Sequence, residues 1–585
     1  MTEALEIIQQ APREGAPFDV VLACGFTSLH LRTFLRAHLQ QRFPSRLVNV
    51  SEGLYGDAAG TLAGAARQPV HAIALALEWP DLDPRLGFRS SGVWREETEV
   101  HQTVDAALAR LSDAILALPA HVRIAVSLPT TPLPPLFHTA GWQASTAELL
   151  LDQKLSIFAT TLAQRHGLSL VNSRRLDEES PPAARYDLRS DLLTGLPYTI
   201  AHADALAAAL ALLLAPAAPM KGVITDLDDT LWDGILGDAG PEGVRWDLAS
   251  HQHLHGLYQK MLAGLSQRGV LIGAASKNDP DLVDRVFQRP DVLLPRSLVF
   301  PREVHWNAKS GSVARILEAW NIGADSVVFV DDSPMELAEV ATVHPGIQCL
   351  RFPKGDYAAT LAMLRELRDL TGKEHVWAED ARRAESIRQN VDFRRQAADG
   401  SATETFLAQA NARIEADLHV SSLGRCRPHG GVADDPRVLE LVNKTNQFNL
   451  NGVRFAEADW QARLAQPDAF TAVLRYDDKF GPLGKIAVMQ GTRQGARVCI
   501  AVWVMSCRAF SRRIEHQCLK LLFARFEAAE LRFEFAPTAR NGPLRQFFAD
   551  LTGQTPEGAF AITREQFAEH CPPLYHQVVA REEGE

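Results

Sequence analysis

Three aspartates fall within four positions, Asp226, Asp228 and Asp229, with Thr230 next and the apolar pair Val223 and Ile224 just before. A short apolar run reads as a buried strand. The acidic cluster then sits at its carboxyl end, the edge of an open α/β sheet where ligands bind. Like charges packed this closely repel unless a cation or ligand neutralises them. Two carboxylates two residues apart can share one cation and one phosphate. An ionised Asp226 can attack phosphorus to give an aspartyl phosphate, while Asp228 protonates the leaving oxygen and later activates water.

Three more pieces of the chain fit the same chemistry. An apolar run over 270–275 ends at Ser276, followed by Lys277 and Asn278, whose polar groups and amides can hold phosphoryl oxygens. Lys309 supplies a cation that offsets charge on the nucleophile and the phosphoryl group. A run over 326–330 ends at Asp331 and Asp332. Asp226, Asp228, Asp331 and Asp332 together form an all-oxygen donor set, which favours Mg²⁺. The Thr230 hydroxyl either meets the substrate or braces the turn after the strand.

The order Asp-x-Asp-x-Thr, Ser, Lys, Asp-Asp over 226–332 resembles the haloacid dehalogenase (HAD) phosphatase superfamily. The resemblance implies that Asp226 is the nucleophile, Asp228 the acid/base and Asp331 a Mg²⁺ ligand, with Ser276 and Lys309 holding phosphate. DLDDTLWDGILGDAG at 226–240, ASKND at 275–279, NIGADSVVFVDDSPMELAEV at 321–340 and LVNKTNQFNL at 441–450 narrow the likeness to the FkbH-like branch, HAD subfamily IIIC. That branch implies a partner acyl carrier protein in a polyketide-type pathway. It implies loading of a glyceryl unit from a phosphorylated three-carbon donor, 1,3-bisphosphoglycerate, onto the phosphopantetheine thiol. Asp229 and Asp233 stand where that branch has Asn and Gly, an extra negative charge that disfavours a bisphosphorylated substrate. A plain small-molecule phosphatase and a scaffold that docks a synthase are the rival readings.

These motifs need a parallel sheet to bring them together. Residues 220–373 alternate apolar runs with helical patterns and predict a Rossmann-like α/β domain. Only about 45 residues separate Thr230 from Ser276, so no large cap domain is expected over the site. Residues 1–219 show the same alternation and predict a second parallel α/β domain, which ends in the alanine-rich helix before Pro216. A charged stretch, 374–412, reads as a helical linker, and 413–585 as an α+β domain. The whole is a multidomain α/β chain, and its 585 residues are too many for one core.

Within 413–585, a strand ending near Cys507, then Arg508, Arg512 and Arg513, then a long helix, resembles the GNAT acetyltransferase fold. That likeness implies a site for a phosphopantetheine arm at the helix start. Cys507 beside Arg508 is a candidate acyl acceptor, since a nearby cation favours thiolate. Asn446 and Asn449, with Asn443, Lys444 and Gln447, form a polar run able to grip substrate. In the first domain Thr27 or Ser28, with His202, loosely resembles the nucleophile and base of SGNH-type esterases, but no Gly-Asp-Ser motif accompanies them. A degenerate docking domain is the expectation there. His251, His253 and His255 do not share one helix face and read as a solvated surface.

The net charge of −11 argues against broad nucleic-acid binding, which needs a basic face, and leaves room for a local basic pocket for an anionic substrate. Seven scattered cysteines do not make a disulfide framework, which points to the cytoplasm. The apolar stretch at 205–219 is short for a membrane span.

Overall fold

Val223 and Ile224 lie in β6 (Gly222–Thr225), a strand buried along its whole length. The computed structural model describes residues 1–90, 97–377, 380, 383–397, 404, 407–420, 435–479, 481–506, 509 and 512–582. β6 is the middle strand of a five-stranded sheet with β7 (Leu271–Ser276), β8 (Val299–Val304), β9 (Val327–Asp331) and β10 (Gln348–Arg351), in the order β10-β9-β6-β7-β8. All the pairings are parallel. A parallel sheet covered on both faces favours unbroken apolar strands over alternating ones, as in β7 and β9, also buried throughout. The chain leaves β6 for β7 on one side and returns to β9 on the other. The carboxyl ends of β6, β7 and β9 therefore meet at the point where the winding reverses, where a crevice forms.

Local chemistry sets the helices that flank this crevice. Asp279 and Ser333 cap helices Pro280–Phe287 and Pro334–Val343, each with proline just inside the start. Helix Lys309–Trp320 ends at Asn321, which adopts the left-handed conformation at φ 52°. Between β6 and helix His253–Gln267 lie the short helix Leu236–Ala239 and a bridge from Asp233 to Arg245. No separate domain is inserted there. Trp232 anchors this segment, 1% exposed and edge-on to Phe287.

By compactness the described chain divides into two units: Met1–Ala217 with Ala456–Gln461, and Ala218–Phe455 with Ala462–Glu585. The first unit holds a parallel sheet of β1 (Pro17–Ala23), β2 (Leu47–Glu52), β3 (Ala72–Ala76), β4 (Arg123–Ser127) and β5 (Leu168–Leu170), in the order β2-β1-β3-β4-β5. Helix Ile200–Leu214 packs on it through buried alanines and leucines.

The second unit also holds a seven-stranded sheet: β11 (Arg413–Val420), β12 (Ala469–Asp478), β13 (Gly481–Gln494), β14 (Arg497–Met505), β15 (Glu530–Phe533), β16 (Phe560–Thr563) and β17 (Gln577–Glu582). Its order is β16-β15-β14-β13-β12-β11-β17. β14 and β15 run parallel, joined by helix Ile514–Arg525, and β17 pairs parallel with β11. Trp503, Phe533 and Phe548 sit at the centre of its core. Within 374–412 one helix, Arg383–Ala397, is described. No helix among the described residues is long and apolar enough to cross a membrane.

Candidate active site

Asp226 follows β6 directly, Asp331 ends β9, and Lys309 opens the helix that crosses toward β9. The Lys309 ammonium lies 3.0 Å from Asp226 Oδ1 and 2.6 Å from Asp331 Oδ2. All three residues are at most 5% exposed. Asp226, Asp331 and Asp332 each offer a carboxylate oxygen, and these atoms lie within 4.8 Å of one another. One ammonium thus stands against three carboxylates.

The electrostatics follow from that imbalance. Burial pushes the Asp226 carboxyl up, while Lys309 pulls it back, helped by the Ser276 hydroxyl. Asp331 is raised to about 6, first by burial and then by the neighbouring charge of Asp226. Asp332 is raised by burial and by Asp331. Burial works against the charge on Lys309, yet the two carboxylates hold it above the usual lysine value. A divalent cation among these oxygens would favour the ionised form of all three against burial and offset the repulsion that adds to the shifts of Asp331 and Asp332.

Asp228 does not join that group. Its Oδ1 accepts from Trp232 Nε1 at 2.9 Å, and its Oδ2 accepts from the Leu236 amide at 3.1 Å and Asn278 Nδ2 at 3.0 Å. These three donors take both lone pairs of Oδ2 and one of Oδ1, leaving one site on Oδ1 for a proton. Burial raises the Asp228 carboxyl, and its donors oppose the shift. Asn278 therefore meets Asp228, while Lys277 turns to Glu336 Oε1 at 2.7 Å.

Thr230 is fully buried, and its hydroxyl has no partner among the described residues. Its carbonyl accepts a hydrogen bond from His255 Nδ1 at 2.9 Å. His255 is itself buried and stacked on Phe352, so the solvated reading holds for His251 and His253 only. Asp229 takes a left-handed backbone at φ 53°, and Lys354 Nζ lies 2.5 Å from its Oδ2. The extra negative charge expected at 229 is thus met by a lysine about 125 residues on. The residues that sequence reasoning missed here are Trp232, His255 and Lys354. Only Trp232 carried a local signal, four residues after the carboxylate it holds.

The other candidate sites come out differently. Asn449 is 2% exposed and braces a turn: Oδ1 accepts from the Asn451 and Gly452 amides, and Nδ2 donates to the Thr445 carbonyl. Its side chain is spent on the backbone rather than offered to a substrate. Asn446 accepts from Arg454 at 2.6 Å and lines a cleft described below. Cys507 and Arg508 lie outside the described residues. Arg512 is buried against Asp478 at 3.3 Å, and Arg513 pairs with Glu404. In the first unit the Ser28 hydroxyl donates to Glu52 at 2.7 Å, and the Thr27 hydroxyl to the Thr194 carbonyl at 2.9 Å. The two His202 nitrogens face Ser180 and Thr130, each at 2.9 Å. The structure therefore pairs neither Thr27 nor Ser28 with His202. The five described cysteines are free.

No protein-family model and no curated protein matches the chain. Among solved structures it is similar to the N-terminal part of the protein BF1531 from Bacteroides fragilis, which contains a phosphatase domain and is complexed with Mg. The TM-score is 0.50 and the identity 18%, over 64% of this chain and 99% of that one. At that identity the likeness is one of fold: a mixed α/β architecture with parallel sheets.

Proposed function

We propose that this chain is a Mg²⁺-dependent phosphoryl-handling enzyme whose nucleophile is Asp226. The observation that carries the reading is the buried bridge of Lys309 to both Asp226 and Asp331, with Asp332 close enough to complete an oxygen cage. The three carboxylates suit a hard cation, and the phosphatase-domain structure of like fold is complexed with Mg. When bound, Mg²⁺ keeps Asp226 ionised and draws charge from the phosphoryl oxygens. An Asp226 oxygen then bonds to phosphorus as the bond to the leaving oxygen breaks. Asp228, raised by burial, gives its proton to that oxygen. Water next attacks phosphorus, passes a proton to Asp228, and frees phosphate and Asp226. Phosphate release from a simple ester by the full chain tests this reading. It is expected to need Mg²⁺ and to fall about 10³-fold or more in Asp226→Asn.

We infer further that the donor is a phosphorylated three-carbon acid such as 1,3-bisphosphoglycerate. The phosphopantetheine sulfur of an acyl carrier protein would bond to the C1 carbonyl carbon as the acyl phosphate leaves with the thiol proton, and the C3 phosphate would be hydrolysed at Asp226, leaving a glyceryl thioester and two phosphates. The FkbH-like motifs support this, as does the small segment over the site, which leaves room for a protein substrate. Lys354, paired with Asp229, reduces the negative charge that would repel two phosphates. The parallel pair β14 and β15, joined by a crossover helix, is a layout suited to an extended arm. Intact mass of a holo carrier protein after incubation with donor and Mg²⁺ tests it. A mass gain of one glyceryl unit supports transfer. Phosphate release with an unchanged carrier leaves a plain phosphatase, a reading favoured by the paired state of Arg512 and Arg513.

A further inference from the structure

The second unit contains a cleft with about 100 Å³ of room for water-sized molecules, on the far edge of the central sheet from the aspartates. Lys221 lines it just before β6, and Asn321 just ahead of β9. Asp226 and Asp331 lie at the opposite ends of those strands. The four residues of β6 separate Lys221 from Asp226, five steps of extended chain or roughly 16 Å, so one small ligand does not bridge the two places.

The walls of the cleft are cationic. Lys221, Lys373, Arg383, Arg437 and Lys444 face two carboxylates, Asp380 and Glu440, an excess of three positive charges. Glu440 pairs with both Arg437 and Lys444, and Asp380 with Lys373 at 3.1 Å. These pairs fix the cations in place without neutralising the set. Lys221 Nζ donates to the Lys444 carbonyl at 2.8 Å, which ties the central sheet to the carboxyl end of helix Pro436–Lys444.

A second observation points the same way. Arg437 is 9% exposed, and its Nε is buried without a partner among the described residues. The Asn321 Nδ2 is buried and unpartnered too, as is the Gln447 side-chain carbonyl, whose amide can be turned to present its nitrogen instead. A buried donor left unsatisfied costs about 1–3 kcal/mol. Donors of this kind on a cationic wall are satisfied together by an oxyanion.

We propose that this cleft binds a phosphate-bearing anion, in a second site separate from the aspartate cluster. The pyrophosphate of a nucleotide and the phosphate of a pantetheine arm share the chemistry it recognises. The proposal does not depend on Asp226 being a nucleophile.

Titration calorimetry on the full chain in chelator, with inorganic pyrophosphate as the probe, tests it. Without divalent cations the aspartate cluster stays anionic and repels the probe. Pyrophosphate is expected to bind, and to bind at least 10-fold more weakly to Lys221→Met and to Asn321→Gly. Glycine at 321 keeps the left-handed backbone and deletes the amide, and thermal melts without probe check that each variant is folded. Asp226→Asn is expected to bind like the parent. Tighter binding of ADP would assign the site to a nucleotide, and tighter binding of pantetheine 4′-phosphate to a carrier arm; either supports the proposal. No binding at millimolar probe, or equal binding by the parent and both folded cleft variants, overturns it. So does loss of binding in Asp226→Asn alone.

Discussion

Lys309 Nζ lies 2.6 Å from Asp331 Oδ2, with both side chains almost wholly buried. The same ammonium reaches Asp226. Breaking a buried ion pair from one side strands the partner charge, at about 3–5 kcal/mol. Lys309→Met is therefore expected to lose about that much stability in urea melts run in chelator, and Mg²⁺ should restore part of it. A loss below about 1 kcal/mol, the scale of an exposed pair, would show that the bridge is not what neutralises the two carboxylates.

Asp332 completes the group of three oxygens. If these carboxylates share one cation, Asp332→Asn should raise the Mg²⁺ concentration for half-maximal activity by roughly 10-fold or more, since even outer partners of a metal site contribute that much. The rise in melting temperature that Mg²⁺ gives the parent should shrink in step. An unchanged Mg²⁺ midpoint would place the cation elsewhere.

Asn278 donates to Asp228 at 3.0 Å and is itself 2% exposed. A hydrogen bond to a charged group is worth about 1.5–3 kcal/mol. Asn278→Ala should thus cut kcat roughly 10- to 100-fold with little change in KM, because it loosens the proposed acid without touching the phosphate. Steady-state kinetics that moved KM alone would make Asn278 a substrate contact instead.

His202 sits in the first unit with both ring nitrogens hydrogen-bonded, and burial, aided by the charge of Arg185, lowers it to about 4. The unfolded chain, with a histidine value near 6.5, binds a proton in a window where the folded chain does not. Stability contributed here is complete above pH 6.5 and falls as pH drops toward 4, by up to about 3 kcal/mol. Denaturant melts of the full chain should show this slope in the first unit's transition. His202→Asn should flatten it, and an equal slope in the variant would assign the effect to other groups.

The central sheet was legible in the sequence because its strands are short apolar runs that end in polar motifs. β6, β7 and β9 fall on the runs that end near Asp226, Ser276 and Asp332. Asp226, Ser276, Lys309 and Asp331 converge because parallel strands place their carboxyl ends along one edge. β17 was not legible: it pairs with β11 from more than 150 residues away, and its own stretch carries no turn signal. β5 and β16 are only three and four residues long, too short for a period to show. In the site, Lys354 was invisible because its role is set by tertiary approach to Asp229. The three donors that hold the Asp228 carboxylate were not legible, because spacing alone does not reveal them. His255 lies in a predicted helix, but only the fold shows that its ring supports the Thr230 carbonyl.

The central claim is that an Asp226 oxygen becomes bonded to phosphorus. Acid-quenched single-turnover mixtures of the full chain, Mg²⁺ and a phosphate ester, reduced with borohydride and digested, measure it directly. The account predicts that the peptide containing residue 226 carries homoserine in place of aspartate, and that Asp226→Asn yields no such peptide. Turnover that persists in Asp226→Asn, or reduction mapped to a different carboxylate, would contradict it.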